Sequence, residues 1–96
     1  MLIARVVGSA VSTMKDRQMS GLKLLILREA TPADELVGDP FVAVDSVGAG
    51  EGELVLVARG SAARQTDTTR DRPVDAVIMG ILDSLEVDGE VSFRKG

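Results

Sequence analysis

The stretch Val42-Ala43-Val44-Asp45-Ser46-Val47-Gly48-Ala49-Gly50-Glu51-Gly52-Glu53-Leu54-Val55-Leu56-Val57-Ala58-Arg59 decides the fold. Two runs rich in valine and leucine flank glycines at alternate positions, which is the pattern of two strands joined by a tight link. Strands are expected at Phe41 to Val47 and Glu53 to Arg59, with Gly48 to Gly52 between them. In Leu54-Val55-Leu56-Val57 both alternating sets are apolar, so both faces of that strand call for burial.

Working outward, Lys23 to Arg28 repeats the two-sided pattern through Leu24, Leu25, Ile26 and Leu27, and Leu2 to Ser12 reads as a further strand. The opening run Met1 to Gly8 carries Arg5 inside its apolar residues rather than ahead of them, unlike a secretory signal. A polar turn is expected at Thr13 to Gly21 and an acidic loop at Glu29 to Pro40. Gly60 to Gln65 predicts one or two turns of helix, with Ser61 accepting from the free amides, followed by a polar loop to Pro73.

Val74 to Val87 fits two templates. Val74, Val77, Ile78, Ile81, Leu82 and Leu85 follow helical spacing, yet Gly80 falls mid-segment and Val77 and Ile78 are β-branched. Asp88-Gly89 is a hairpin signal ahead of Glu90-Val91-Ser92-Phe93, so a strand is expected. Five or six apolar runs bounded by turn residues predict a small barrel or sandwich, without internal repeat or low-complexity tract.

The chain has 96 residues and 10.1 kDa, which fits one domain over residues 1–96 that buries only roughly 60 % of its unfolded surface. Two-sided apolar strands usually belong to sheets sheathed by helices, and here there is at most one short helix. A second copy of the chain is the remaining cover, so self-assembly is expected.

Composition excludes much chemistry. There is no His and no Cys, which removes the usual general base, the Ser-His triads, thiolate nucleophiles and most zinc sites. Asp45, Glu51, Glu53 and Asp75 could pair as acid and base, but none stands in a desolvating sequence context, and solvated or interface-bonding carboxylates are the better reading. Ser12-Thr13-Met14-Lys15 fits S-x-x-K only formally, since it ends a strand and lacks the companion motifs. Gly48-x-Gly50-x-Gly52 is not a phosphate loop: glutamates interrupt it, and a strand rather than a helix follows. It reads instead as a tight turn or a close approach to a neighbouring chain.

Net charge is −4, pI is near 4.7, and the only aromatic residues are two Phe, which argues against nucleic acid and anionic lipid. No apolar run approaches the roughly eighteen residues of a membrane helix. Neither a cofactor nor a metal is expected, and the expected location is the cytoplasm.

The ordered set Val6-Val7-Gly8, Ser12-Thr13, Gly21-x-Lys23-Leu24-Leu25, Val42 to Glu53, Val55-Leu56-Val57, Gly60-Ser61-x-Ala63-Arg64 and Pro73-Val74-Asp75-Ala76 through Gly80-Ile81-x-Asp83 resembles the bacterial microcompartment vertex family, also called CcmL/EutN or BMC-P proteins. Ala62 departs from it, where a second Ser is more frequent, as does the acidic loop Thr31 to Asp39. The resemblance implies a mostly β, OB-like five-stranded barrel with one short helix and a C-terminal hairpin. It further implies a homopentamer without catalytic activity, placed at the five-fold vertices of a shell built with hexameric shell proteins. By the same resemblance Asp45, Gly48, Ala49, Gly50, Glu51, Gly52, Glu53, Ser61 and Arg64 are expected at the pentamer interface or near its pore. A stand-alone OB-type binding module is the alternative.

Overall fold

The computed structural model describes residues 1–13, 17–19 and 21–96; Met14 and Lys15 of the S-x-x-K match lie outside them. Among the described residues seven strands form: β1 (Leu2–Ala10), β2 (Lys23–Ala30), β3 (Leu36–Asp45), β4 (Leu54–Arg59), β5 (Ala76–Ile81), β6 (Ser84–Val87) and β7 (Glu90–Arg94). The first five close into a barrel in the order β1-β2-β3-β5-β4, and β6 and β7 make a separate hairpin. All barrel pairings are antiparallel except β3 with β5, which meet in parallel only at Val44↔Val77 and Asp45↔Ile78. This is OB-like connectivity, with register shifts in β1–β2, β2–β3 and β4–β5 giving the bends that closure requires.

The barrel is filled by Ala4 and Val6 of β1, Leu25 and Leu27 of β2, Ala43, Val55, Val57, Ala76 and Ile78, with Ala49 entering from the glycine-rich link. A second cluster lies outside it: Val44, Ala58 and Val77 point outward and are covered by Ala63 and Val74, with Leu22 and Leu24 at its margin. Buried Thr69 bonds through Oγ1 to the Ala63 carbonyl at 2.5 Å and pairs with Thr66 Oγ1 at 2.6 Å, which pins the 60–74 segment over this patch. Part of the outward apolar surface is therefore covered by the chain itself. What stays open includes Val42, 48 % exposed on β3, and Met79, 43 % exposed on β5.

Four expectations need correction. The long acidic loop is only a turn, tied by Thr31 N to Glu35 O at 2.8 Å, and β3 begins at Leu36. The β2–β3 ladder steps from Leu27↔Phe41 to Glu29↔Val37, so Gly38, Asp39 and Pro40 bulge opposite Arg28. Those residue types mark a bulge as well as they mark a loop. The expected short helix forms as a 3₁₀ helix, Gly60–Arg64, but its N-cap is Arg59 with no side-chain cap, so the expected capping by Ser61 does not occur. The single strand over Val74 to Val87 is two, broken at Leu82-Asp83, where Leu82 N bonds Leu54 O at 2.9 Å and Lys95 N bonds Asp83 O at 2.8 Å. Strand ends also shift: β1 stops at Ala10, β2 continues to Ala30, β3 stops at Asp45 and β4 starts at Leu54. The hairpin signal holds, with Asp88 and Gly89 at φ 53° and 79°, the left-handed pair of a tight hairpin turn.

Candidate functional site

The link from β3 to β4, Asp45 to Glu53, is organised by its two terminal carboxylates. Asp45 ends β3 with its side chain fully buried, and its Oδ1 accepts from the amides of Val47 at 3.0 Å and Gly48 at 3.1 Å. An aspartate bonding its own backbone two and three residues on fixes the start of a turn, and Gly48 supplies the φ of 81° that the next step needs. Oδ2 lies 3.2 Å from Lys23 Nζ, an ion pair without the alignment of a good hydrogen bond; Lys23 also reaches the Ala49 carbonyl at 3.4 Å. Burial opposes the charge on Asp45 but is outweighed by the Val47 and Ala49 amides and by Lys23, so its carboxyl sits below the usual range.

Glu53 closes the other end. Its Oε1 accepts from Gly50 N at 2.6 Å, while Glu53 N donates to Gly50 O at 3.1 Å. Gly52, third in this four-residue turn, has φ 88°, the conformation a type II turn demands there. Oε2 lies 3.0 Å from Lys95 Nζ. Lys95 and the Gly50 amide hold the Glu53 carboxyl below its ordinary value, and Glu53 raises Lys95 in return. Arg5 adds a further tie, donating from Nη1 to the Gly52 carbonyl at 2.6 Å.

Asp45, Gly48, Ala49, Gly50, Glu51, Gly52 and Glu53 therefore form one continuous hydrogen-bonded loop, with Ala49 buried and Glu51 and Gly52 exposed. Ser61 and Arg64 do not join it. They sit on the 3₁₀ turn at the far end of β4, about 20 Å of strand from Glu53, Ser61 exposed and Arg64 bonding the Val74 carbonyl at 3.3 Å. Asp45 and Glu53 are both held ionised by partners within the chain, so neither is poised to exchange a proton near neutral pH. Among the described residues no group of three or more acidic, His or Cys side chains could hold a metal, and no helix is long and apolar enough to cross a membrane.

Lys23, Arg5 and Lys95 shape this loop and were not among the candidate site residues read from the sequence. Each is far from the loop in the chain and depends on ladder register or hairpin docking, which no local motif announces. The Arg59 guanidinium, 4.6 Å from the Phe41 ring centroid, was equally hidden.

A barrel of this connectivity with this loop has relatives. A sequence model described as "Ethanolamine utilisation protein EutN/carboxysome" matches residues 1–83. The chain belongs to the EutN/CcmL family. Among family members, the carboxysome shell vertex protein CcmL of Gloeobacter violaceus is 45 % identical over 95 residues, 99 % of this chain and 95 % of that protein. Its solved structure superposes with a TM-score of 0.93, covering 99 % of this chain and 98 % of that one. The bacterial microcompartment shell vertex protein PduN of Salmonella typhimurium is 45 % identical over 89 residues, 88 % of this chain and 98 % of that protein. The structure of GrpN, described as a pentameric microcompartment shell protein from Rhodospirillum rubrum, matches at 41 % identity and a TM-score of 0.82, covering 91 % of this chain and 100 % of that one. Carboxysome and other microcompartment vertex proteins thus share one EutN/CcmL barrel with this chain.

Proposed function

We propose that this chain is a shell vertex subunit of a bacterial microcompartment, acting in the bacterial cytoplasm as a homopentamer, with residues 1–96 forming one vertex domain. The observation that carries the reading is its likeness over nearly its whole length, at 45 % identity and a TM-score of 0.93, to a carboxysome vertex protein. A second structural relative is described as a pentamer. The mechanism is geometric. Six-fold tiles made by hexameric shell proteins pack into a flat net, and a five-fold tile lets that net curve and close.

A cyclic ring is closed by a heterologous interface, which uses two different surfaces of each subunit. The barrel offers two such surfaces, the Gly48 to Glu53 turn that leads into β4 and the 3₁₀ turn with Ser61 and Arg64 that leaves it. We place these residues at the subunit interface or beside the five-fold axis, where side-chain-free Gly48, Gly50 and Gly52 permit close approach. The role requires no catalysis, cofactor, nucleic acid or membrane. Light scattering of the purified chain at several concentrations tests this: a mass near five subunits is expected, and a persistent monomer would contradict it and favour a stand-alone binding module.

A further inference from the structure

The match to the EutN/CcmL family model ends at residue 83, and the hairpin β6–β7 begins at Ser84. A two-stranded hairpin is marginal in water by itself, so what holds this one in place is informative. It stands over a crevice of about 320 Å³ lined by Gly52, Glu53, Leu54, Leu82, Phe93 and Lys95, and reaches the barrel through side chains of β7 and the residue after it. Lys95 Nζ meets Glu53 Oε2 at 3.0 Å. Phe93 lies 5.8 Å from the Arg5 guanidinium, and Ser92 Oγ donates to the Pro32 carbonyl at 2.5 Å.

The groups it touches have second tasks. Glu53 holds the Gly50 amide, Arg5 holds the Gly52 carbonyl, and Arg5 also pairs with Asp34 in the Thr31–Glu35 turn whose Pro32 receives Ser92. The contacts form a closed circuit: hairpin to acidic turn, acidic turn to Arg5, Arg5 to the glycine loop, and the loop through Glu53 back to the hairpin. We infer that the C-terminal hairpin is a latch for the glycine-rich loop: Lys95 is a positioning residue that holds Glu53 from the hairpin side and Phe93 sits against Arg5, while Arg5 and the Val6 backbone hold Gly52 and Glu53 from the barrel side.

The coupling is reciprocal, so any partner that binds or displaces the hairpin alters the loop as well. This circuit lies within one chain and stands apart from the pentamer reading. If that reading is also right, occupancy of the hairpin regulates an assembly surface.

Amide hydrogen exchange by NMR on the full chain, in whatever assembly it adopts, tests the latch. Lys95→Gln is expected to speed exchange at Gly50 by roughly tenfold, the scale of one weakened charge-assisted contact, while Leu25 and Leu27 in the barrel stay at wild-type rates. Lys95→Arg is expected to retain the wild-type rate at Gly50. Lys95→Glu, which repels the Glu53 carboxylate, should loosen Gly50 further, while Gly52, whose amide bonds the Val6 carbonyl of β1, keeps its wild-type rate. A wild-type rate at Gly50 in both Lys95→Gln and Lys95→Glu would overturn the inference, as would a change that rises only in step with the barrel amides. A monomeric wild-type chain would instead count against the pentamer and leave the latch readable in the same spectra.

Discussion

Lys23 stands directly across the β2–β3 ladder from Asp45 and places its ammonium 3.2 Å from a carboxylate whose side chain is fully buried. The pair joins the start of one strand to the end of the next, at the point where the chain leaves the barrel wall for the glycine loop. Removing either partner has unequal consequences. Asp45→Ala deletes the acceptor of the Val47 and Gly48 amides and is expected to cost about 1–3 kcal/mol, measurable by urea denaturation. Asp45→Asn retains an acceptor oxygen and should cost less. Lys23→Met leaves the buried carboxylate without its counter-charge and should raise the carboxyl's pKa, read by side-chain NMR titration.

Stability should fall on the acid side. Asp45 and Glu53 both titrate below their ordinary values in the folded chain. Their contribution is therefore complete above the unfolded carboxyl pKa, roughly 4, and is lost as pH drops through the lower folded values. Lys95 is raised, so its contribution is complete below the unfolded lysine pKa, roughly 10.4, and is lost as pH rises through the folded value. Denaturation midpoints across pH should show both limbs. Lys95→Gln should abolish the alkaline component assigned to that pair and shrink the acid one, whereas Asp45→Asn should act on the acid limb alone.

Gly50 and Gly52 should respond differently to substitution. Gly52 has φ 88°, so Gly52→Ala strains the turn and should cost about 1–2 kcal/mol in the folded subunit. Gly50 lacks a left-handed φ, and a Cβ there would meet only the Glu53 carboxylate, at 3.2 Å from Oε1. On the proposed placement of this loop against a neighbouring subunit, Gly50→Val should leave the barrel's circular dichroism unchanged while breaking the proposed pentamer on a sizing column. A pentamer that persists in Gly50→Val would remove this loop from the interface.

Thr69 should prove structural. Its buried hydroxyl bridges the Ala63 carbonyl and Thr66, so Thr69→Val keeps the shape but removes the hydroxyl's donor from the Ala63 carbonyl and should lower stability by about 1–2 kcal/mol in thermal unfolding. Because this segment covers Val44, Ala58 and Val77, the variant should also expose apolar surface and bind a hydrophobic dye.

Much of the barrel was legible because valine and leucine runs mark strands wherever turn residues bound them. Asp88-Gly89 announced its hairpin through a dipeptide whose backbone preference matches that turn. Gly38-Asp39-Pro40 misled, since a bulge and a loop use the same residues and only the partner strand tells them apart. Two-sided apolarity pointed to a second copy as cover, and the chain's own 60–74 segment supplies part of it, pinned by a threonine whose burial no local pattern foretells. The glycine loop was visible as a unit. Lys23, Arg5 and Lys95 were not, because their roles arise from register and from the docking of the hairpin.

The vertex role itself is tested most directly by co-expressing hexameric shell proteins from the same organism with and without this chain and imaging the products by electron microscopy. The account predicts closed polyhedral particles with five-fold density at their corners when the chain is present, and open sheets or tubes in its absence. Closed polyhedra of the same form without the chain would contradict it.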